Sequence, residues 1–325
     1  MDLFTNSRVD VMKHLEGFLQ ETVNTHLKPI EENWQPSDLL PDATKPDFFD
    51  AIKELQERAK DLSYDLVAVL VGDTITEEAL PTYESWLMTM NDVSRDEKGG
   101  WMKWIRGWTA EENRHGDLLH KYLYLSGRVD MHKMEVSTQY LIADGFDIQT
   151  DNDPYRSFIY TSFQELATNI SHRRVAQFAK QQGDVMLAKM CGLIASDEAR
   201  HAKAYMSFVE QIFAVDPSEM MIAFEDMMRK KIVMPAHYLR EMGITIGQTF
   251  GHFTDAAQRL GVYTAYDYTD ILRGLIKDWK IEEMEGLNDA GERARDYVMN
   301  LPARLERVAD RLRTPHLEYE FTWIK

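Results

Sequence analysis

Glu111-Glu112-Asn113-Arg114-His115 and Asp197-Glu198-Ala199-Arg200-His201 share one pattern, acidic-Glu-x-Arg-His, and each sits in a stretch that reads as helix. Residues three apart on a helix lie on one face, with Cβ atoms about 5–6 Å apart. Glu112 with His115, and Glu198 with His201, can therefore each grip a metal ion from one side. In an acidic chain with ten histidines, roughly one Glu-x-x-His arises by chance, so this spacing alone is weak. A near-repeat strengthens it. Glu77 lies 35 positions before Glu112, and Glu165 lies 33 before Glu198. Turn-forming residues fall midway in both intervals, at 91–100 and 181–184. Two antiparallel helical hairpins built this way bring four glutamates and two histidines to the middle of a four-helix bundle. That is the ligand pattern of ferritin-like di-iron or di-manganese carboxylate proteins. Four carboxylates also offset two divalent cations, so the buried cluster need carry no unpaired charge.

The rest of the chain agrees with a helical reading. Helical periodicity covers residues 8–27, 47–61, 62–90, 101–125, 131–141, 158–181, 185–213 and 217–233. Pro235 begins a further helix, and 255–260, 265–279 and 290–312 follow. Pro81, inside the pattern that carries Glu77, predicts a kink beside that ligand. Residues 34–41 and 143–154 read as loops, and the tail, 316–325, as extended. No βαβ rhythm appears. The expectation is an all-α, ferritin-like four-helix bundle with additional helices, forming one domain over residues 1–325.

Composition narrows the function classes. The formal charge of −17 argues against nucleic acid, which needs a basic face. The densest basic spots, Arg229-Lys230-Lys231 and Arg173-Arg174, read as solvated faces. The longest strongly apolar run, Leu66 to Val71, is far short of the ~20 residues that cross a bilayer, and no signal-peptide pattern opens the chain. A soluble protein is expected. The single cysteine, Cys191, has no internal disulfide partner, which fits a reducing compartment. Among Met190, Leu193 and Ile194 it reads as packing rather than as a nucleophile.

Six ligands rich in carboxylate favour iron over zinc, whose sites prefer four His or Cys ligands; manganese stays open. Glu112 and Glu198, next to the histidines, are expected to bridge, with Glu77 and Glu165 at the ends. Ligating histidines need outer carboxylates to fix their rings, and Asp197 is placed to reach across to His115.

Longer stretches carry a resemblance. Thr76-Glu77-Glu78-Ala79-Leu80-Pro81-Thr82-Tyr83, Trp108-Thr109-Ala110-Glu111-Glu112-Asn113-Arg114-His115-Gly116-Asp117, Tyr160-Thr161-Ser162-Phe163-Gln164-Glu165 and Gly261-Val262-Tyr263-Thr264-Ala265 resemble the soluble acyl-carrier-protein desaturases, in particular the plant stearoyl-type Δ9 enzymes. The similarity spans nearly the whole chain. It implies a homodimer with two Fe2+ ions per subunit. Such enzymes use O2 and electrons from reduced ferredoxin to remove two hydrogens from a saturated acyl chain on acyl carrier protein, as in stearoyl to oleoyl. By the same resemblance Glu77, Glu112, His115, Glu165, Glu198 and His201 are the iron ligands. Thr168 matches a threonine near the oxygen site, and Trp34 with Asp197 an electron route to the metal near His115. Met90 and Phe158 fall where the acyl tunnel runs. The compartment implied is the plastid stroma for a mature plant chain, or the cytoplasm for a bacterial one. Departures from the plant pattern are a shorter segment at 95–101, an acidic Glu32 where relatives are often basic, and differences around Met90 and Ser157.

Desaturation fits the residue types, because taking hydrogen from an unactivated CH2 exceeds what side chains can do and falls to a cofactor. Other readings fit less well. A ribonucleotide reductase small subunit carries a radical tyrosine one turn beyond the first Glu-x-x-His; here that position is Leu119. Ferritin-like iron stores are usually about half this length, and membrane desaturases use clustered His boxes that this chain lacks.

Overall fold

A computed structural model describes residues 8–315 and 319–325. Among these residues the secondary structure is helical: α1 (Arg8–His26), α2 (Phe48–Lys60), α3 (Tyr64–Glu78), α4 (Leu80–Thr89), α5 (Gly100–Ser126), α6 (Met131–Asp144), α7 (Pro154–Gln181), α8 (Val185–Val215), α9 (Pro217–Lys230), α10 (Gln248–Leu260), α11 (Ala265–Asp278) and α12 (Asp289–Ala309). The only β pairing there is an isolated antiparallel bridge between Val129 and Ile324. The all-α expectation holds.

The centre is formed by α3, α5, α7 and α8. Residues early in α7 meet residues late in α8, as where Phe158 packs against Tyr205, while nearer the middle of both helices Thr168 bonds Glu198. The pair is therefore antiparallel, joined by the turn at 182–184. Asp184 opens α8 by accepting hydrogen bonds from the amides of Met186 and Leu187, two of the donors every helix start leaves free. Asp153 caps α7 in the same way through the Arg156 amide, ahead of Pro154. α1 packs on α5 and α8, α10 on α3, and α12 on α9 and α11. Inside the bundle Trp101, Trp104, Trp108, Tyr205 and Phe208 form a buried aromatic wall.

Several boundaries differ from the periodicity. The expected helix over 62–90 is two, α3 ending at Glu78 and α4 starting at Leu80. Pro81 sits in the first turn of α4, where its missing N–H costs nothing, so the chain breaks just past Glu77 rather than bending. α7 begins at Pro154, not at 158, because Asp153 and Pro154 supply a start signal. α9 stops at Lys230, since Lys231 takes the left-handed φ of 66°. Pro235 opens only a 3-10 turn, Pro235–Tyr238, and α10 starts at Gln248, earlier than 255. α12 ends at Ala309, not at 312. Residues 1–7 and 316–318, which hold the opening segment and part of the tail expected to be extended, lie outside the described residues.

Gly116 on α5 matters for the site. A Cβ there would press on the backbone of α3 at Glu77 and Glu78. A side-chain-free position lets the two helices approach closely beside His115.

Candidate metal centre

The six residues expected to hold metal come from the four central helices: Glu77 from α3, Glu112 and His115 from α5, Glu165 from α7, Glu198 and His201 from α8. Their ligand atoms form two overlapping groups, Glu77, Glu112, His115, Glu198 and Glu112, Glu165, Glu198, His201, each gathered within 4.8 Å. Glu112 and Glu198 belong to both. Nδ1 of His115 lies 3.1 Å from Glu198 Oε1 and 3.3 Å from Glu112 Oε2. Nδ1 of His201 lies 2.6 Å from Glu112 Oε1 and 3.6 Å from Glu165 Oε2. Both rings thus point Nδ1 inward.

These inward atoms are buried and short of partners. Glu112 Oε1, His115 Nδ1, Glu165 Oε2, Glu198 Oε1 and His201 Nδ1 make no aligned hydrogen bond. Buried polar atoms are rarely left so. Convergent carboxylate oxygens and imidazole nitrogens are what a pair of hard or borderline divalent cations requires, so the donor set fits iron or manganese. Without cations, protons take up the charge. Burial alone would lower His115 and His201, but Glu112 and the other carboxylates around them outweigh it and raise both well above the ordinary histidine value. Burial, with Glu198 and Glu112 alongside, pushes Glu165 well up. Burial also opposes ionisation of Glu77, yet the adjacent His115 and His172 imidazoles, the latter within hydrogen-bond distance, hold its carboxyl down to about 2.

Outer groups fix the ligands. Asp197 reaches His115, as the sequence reading expects, with Oδ2 3.5 Å from Nε2. The same oxygen accepts from the Trp34 indole at 3.0 Å and from Arg114 at 2.9 Å, and the Trp34 ring stacks over His115 at 6.0 Å between centroids. Sequence reasoning missed the mirror-image contact: Glu111 Oε2 accepts from His201 Nε2 at 2.9 Å and from Arg200 at 2.8 Å. The signal was present, because Glu111 and Asp197 hold the same place in the repeated motif. Two further missed residues hold the end carboxylates. The Trp108 indole donates to Glu165 Oε1 at 3.0 Å, and His172 lies 2.8 Å from Glu77 Oε1. Thr168 donates its hydroxyl to Glu198 Oε2 at 2.6 Å.

A cavity of about 830 Å³ opens onto one side of this cluster. Glu77, Glu112, Glu198, Trp108 and Thr168 form its inner end; Leu80, Phe163, Phe253 and Leu305 are among its apolar walls; Val308 and Leu312, both exposed, stand at its other end. Cys191 is fully buried, as expected for packing. Met90 and Phe158 are buried too, but neither lines the cavity. Phe158 sits one aromatic layer away, against Tyr205, which meets the cavity-lining Trp108.

A fatty acid desaturase family model matches residues 7–325. The chain belongs to the fatty acid desaturase family. It is 52% identical over 324 residues to a chloroplastic stearoyl-[acyl-carrier-protein] 9-desaturase of Spinacia oleracea, covering 98% of this chain and 80% of the relative. At the same identity over 308 residues it matches a chloroplastic palmitoyl-[acyl-carrier-protein] 4-desaturase of Ophrys sphegodes, covering 94% of this chain and 77% of that one. The X-ray structure of a Mycobacterium tuberculosis protein assigned as the acyl-ACP desaturase DesA2 shares the fold, with a TM-score of 0.56 and 16% identity over 87% of this chain and 98% of that one. Among the described residues of this family member, no helix is long and apolar enough to cross a membrane.

Proposed function

We propose that this chain is an acyl-[acyl-carrier-protein] desaturase that converts stearoyl to oleoyl carrier protein, using O2 and electrons from reduced ferredoxin. The observation that carries this reading is the apolar cavity ending on the open face of the carboxylate–histidine cluster. Such a cavity suits an alkyl chain with few polar contacts. Plant relatives at about half identity are stearoyl-[acyl-carrier-protein] 9-desaturases, which supports the same substrate class.

In this reading Glu77, Glu112, His115, Glu165, Glu198 and His201 would hold two Fe2+ ions, with Glu112 and Glu198 belonging to both ligand groups. Bound iron would activate O2, the oxidant, which takes two hydrogens from adjacent CH2 groups and, with two electrons from ferredoxin and two protons, leaves as two waters. The protein does the rest. Asp197 and Glu111 keep each imidazole turned with Nδ1 inward. Thr168 holds a proton on Oγ1 beside Glu198, at the cavity face where O2 and the chain meet. The apolar walls keep water from the reacting carbons. Trp34, half-buried and bonded to Asp197, carries electrons inward toward His115. The acyl path continues past the inner end of the cavity, and Met90 and Phe158, which do not line the cavity itself, border that continuation. The enzyme works as a water-soluble homodimer of single-domain subunits, in the plastid stroma or the bacterial cytoplasm.

The test is direct. Purified protein loaded with Fe2+ is given reduced ferredoxin, O2 and stearoyl carrier protein, and the released fatty acids are analysed. A C18 product with its double bond at carbon 9 is expected. Iron taken up by the hundreds without unsaturated product would replace this reading with storage, and a tyrosyl radical signal with a reductase subunit. A preference for palmitoyl with a bond at carbon 4 would keep the enzyme class and change the substrate.

A further inference from the structure

Glu77 and Glu165 occupy matching ends of the cluster, but their outer oxygens are held by different chemistry. Glu165 Oε1 receives the Trp108 indole N–H at 3.0 Å. Glu77 Oε1 lies 2.8 Å from Nε2 of His172. A carboxylate oxygen only accepts, so the hydrogen in this bond sits on Nε2. His172 is 1% exposed and lies seven residues after Glu165 on α7, two turns along the same face. Its Nδ1 makes no hydrogen bond. The imidazole is thus fixed between two helices with one hydrogen-bonded contact, and that contact is a candidate metal ligand.

We propose that His172 is a positioning residue that holds the outer oxygen of Glu77 and so secures one of the two metal positions. With Oε1 engaged, Oε2 is the oxygen left for the cluster, and it lies 3.8 Å from His115 Nδ1. Without the imidazole the carboxylate can turn either oxygen inward or swing into the cavity, which it also lines. The position served by Glu165 and His201 has its own donor in Trp108, so the loss falls on one metal and not on both. Partners of this kind typically contribute about ten- to a hundred-fold in metal affinity.

The inference rests on the metal reading above, and the experiment separates the two. Full-length metal-free protein is titrated with Co2+, following stoichiometry by equilibrium dialysis and the ligand field by visible absorption, with no substrate present. Wild-type protein is expected to bind two ions per chain; failure to bind any overturns the metal reading itself. His172→Asn, whose amide stops one methylene short, is expected to keep one ion at wild-type affinity and bind the second about ten- to a hundred-fold more weakly. His172→Gln, whose amide reaches Glu77, is expected to restore the second to within a few-fold. Two ions bound alike by wild type and the Asn variant would overturn the role of His172. So would equal weakening of both ions, or Asn and Gln behaving the same, because those results mark a general packing effect.

Discussion

His201 Nε2 lies 2.9 Å from Glu111 Oε2, and across the cluster His115 Nε2 lies 3.5 Å from Asp197 Oδ2. Each acidic residue comes from the helix of the other histidine, α5 serving α8 and α8 serving α5. Arg200 links the two carboxylates, bonding Glu111 at 2.8 Å and Asp197 at 2.5 Å. Exchanging Glu111 for Gln removes the charge that orients the imidazole and leaves Arg200 short of a partner. Metal affinity of Glu111→Gln is expected to fall about ten- to a hundred-fold, with the helical fold intact. Titration with Fe2+ or Co2+, alongside far-UV circular dichroism, checks this, and unchanged affinity would remove Glu111 from the site.

Glu198 belongs to both ligand groups, so its loss cannot be confined to one ion. Glu198→Ala removes a carboxylate from a buried cluster and leaves excess positive charge if both cations stay. Metal content by elemental analysis is expected to drop below one ion per chain, with activity lost in step. Two ions retained would contradict a position shared between them.

Thr168 differs from both. Its single hydroxyl hydrogen goes to Glu198 at 2.6 Å, and the Gln164 and Glu165 carbonyls of its own helix, each at 3.1 Å, are the alternative acceptors. Valine keeps the volume and removes only the hydroxyl. Thr168→Val is expected to hold both metals yet consume more O2 for each double bond formed, measured with an oxygen electrode and fatty acid analysis. An unchanged ratio would take Thr168 out of oxygen handling.

The six cluster residues were legible because helix geometry turns an i, i+3 spacing into a shared face, and two spacings of nearly equal length into two hairpins. Thr168, Trp34 and Asp197 came from family resemblance, or in the case of Asp197 from the need to orient His115. What the sequence did not yield are contacts that depend on how helices approach one another. His172 carries no motif, and only the packing of α7 on α3 brings it to Glu77. Trp108 reads as one more core aromatic until its indole is seen against Glu165. The break between α3 and α4 was masked by Pro81, which looks like a kink in a periodic pattern and proves to be the first turn of a new helix. Met90 and Phe158, taken from the resemblance, lie outside the cavity, part of whose wall is built by α9, α10 and α12, helices whose placement no local pattern encodes.

Acid and base should act oppositely on the metal-free and metal-loaded protein. His115 and His201 are raised well above 6.5, so their contribution to stability is complete below 6.5 and lost as pH rises through the native values. Glu165, also raised, destabilises the native state in the same direction as pH climbs past 4.5. Glu111, lowered to about 2 from 4.5 by His201 and Arg200 against the cost of burial, contributes fully above 4.5 and fails as pH falls toward 2. Metal-free protein is therefore expected to be most stable near pH 4.5, with Glu165 eroding stability above that and the two histidines adding to the loss above 6.5. Metal requires neutral imidazoles and ionised carboxylates, so its binding releases protons and tightens as pH rises. Melting curves at pH 5.5 and pH 8, with and without Mn2+, should show the metal-free Tm falling and the metal-induced rise growing. A metal-induced shift that shrinks toward pH 8 would refute the protonated metal-free cluster.

Gly72, buried in α3, faces Phe253 of α10, and a Cβ built on it would overlap the phenyl ring. Helix propensity alone favours Gly72→Ala by up to about 1 kcal/mol. Overpacking of a filled core costs about 1–3 kcal/mol, so the clash is expected to win and the variant to unfold at lower denaturant. The sign of that change decides between the two effects. Phe253 also lines the cavity, and the ring has two ways to yield, by turning into the cavity or by carrying α10 outward. Turning inward shortens the space for an acyl chain and is expected to shift preference from stearoyl toward shorter chains in a competition assay; movement of α10 would leave that preference unchanged while still costing stability. A variant more stable than wild type, with the same chain preference, would show that the ring does not press against this glycine in solution.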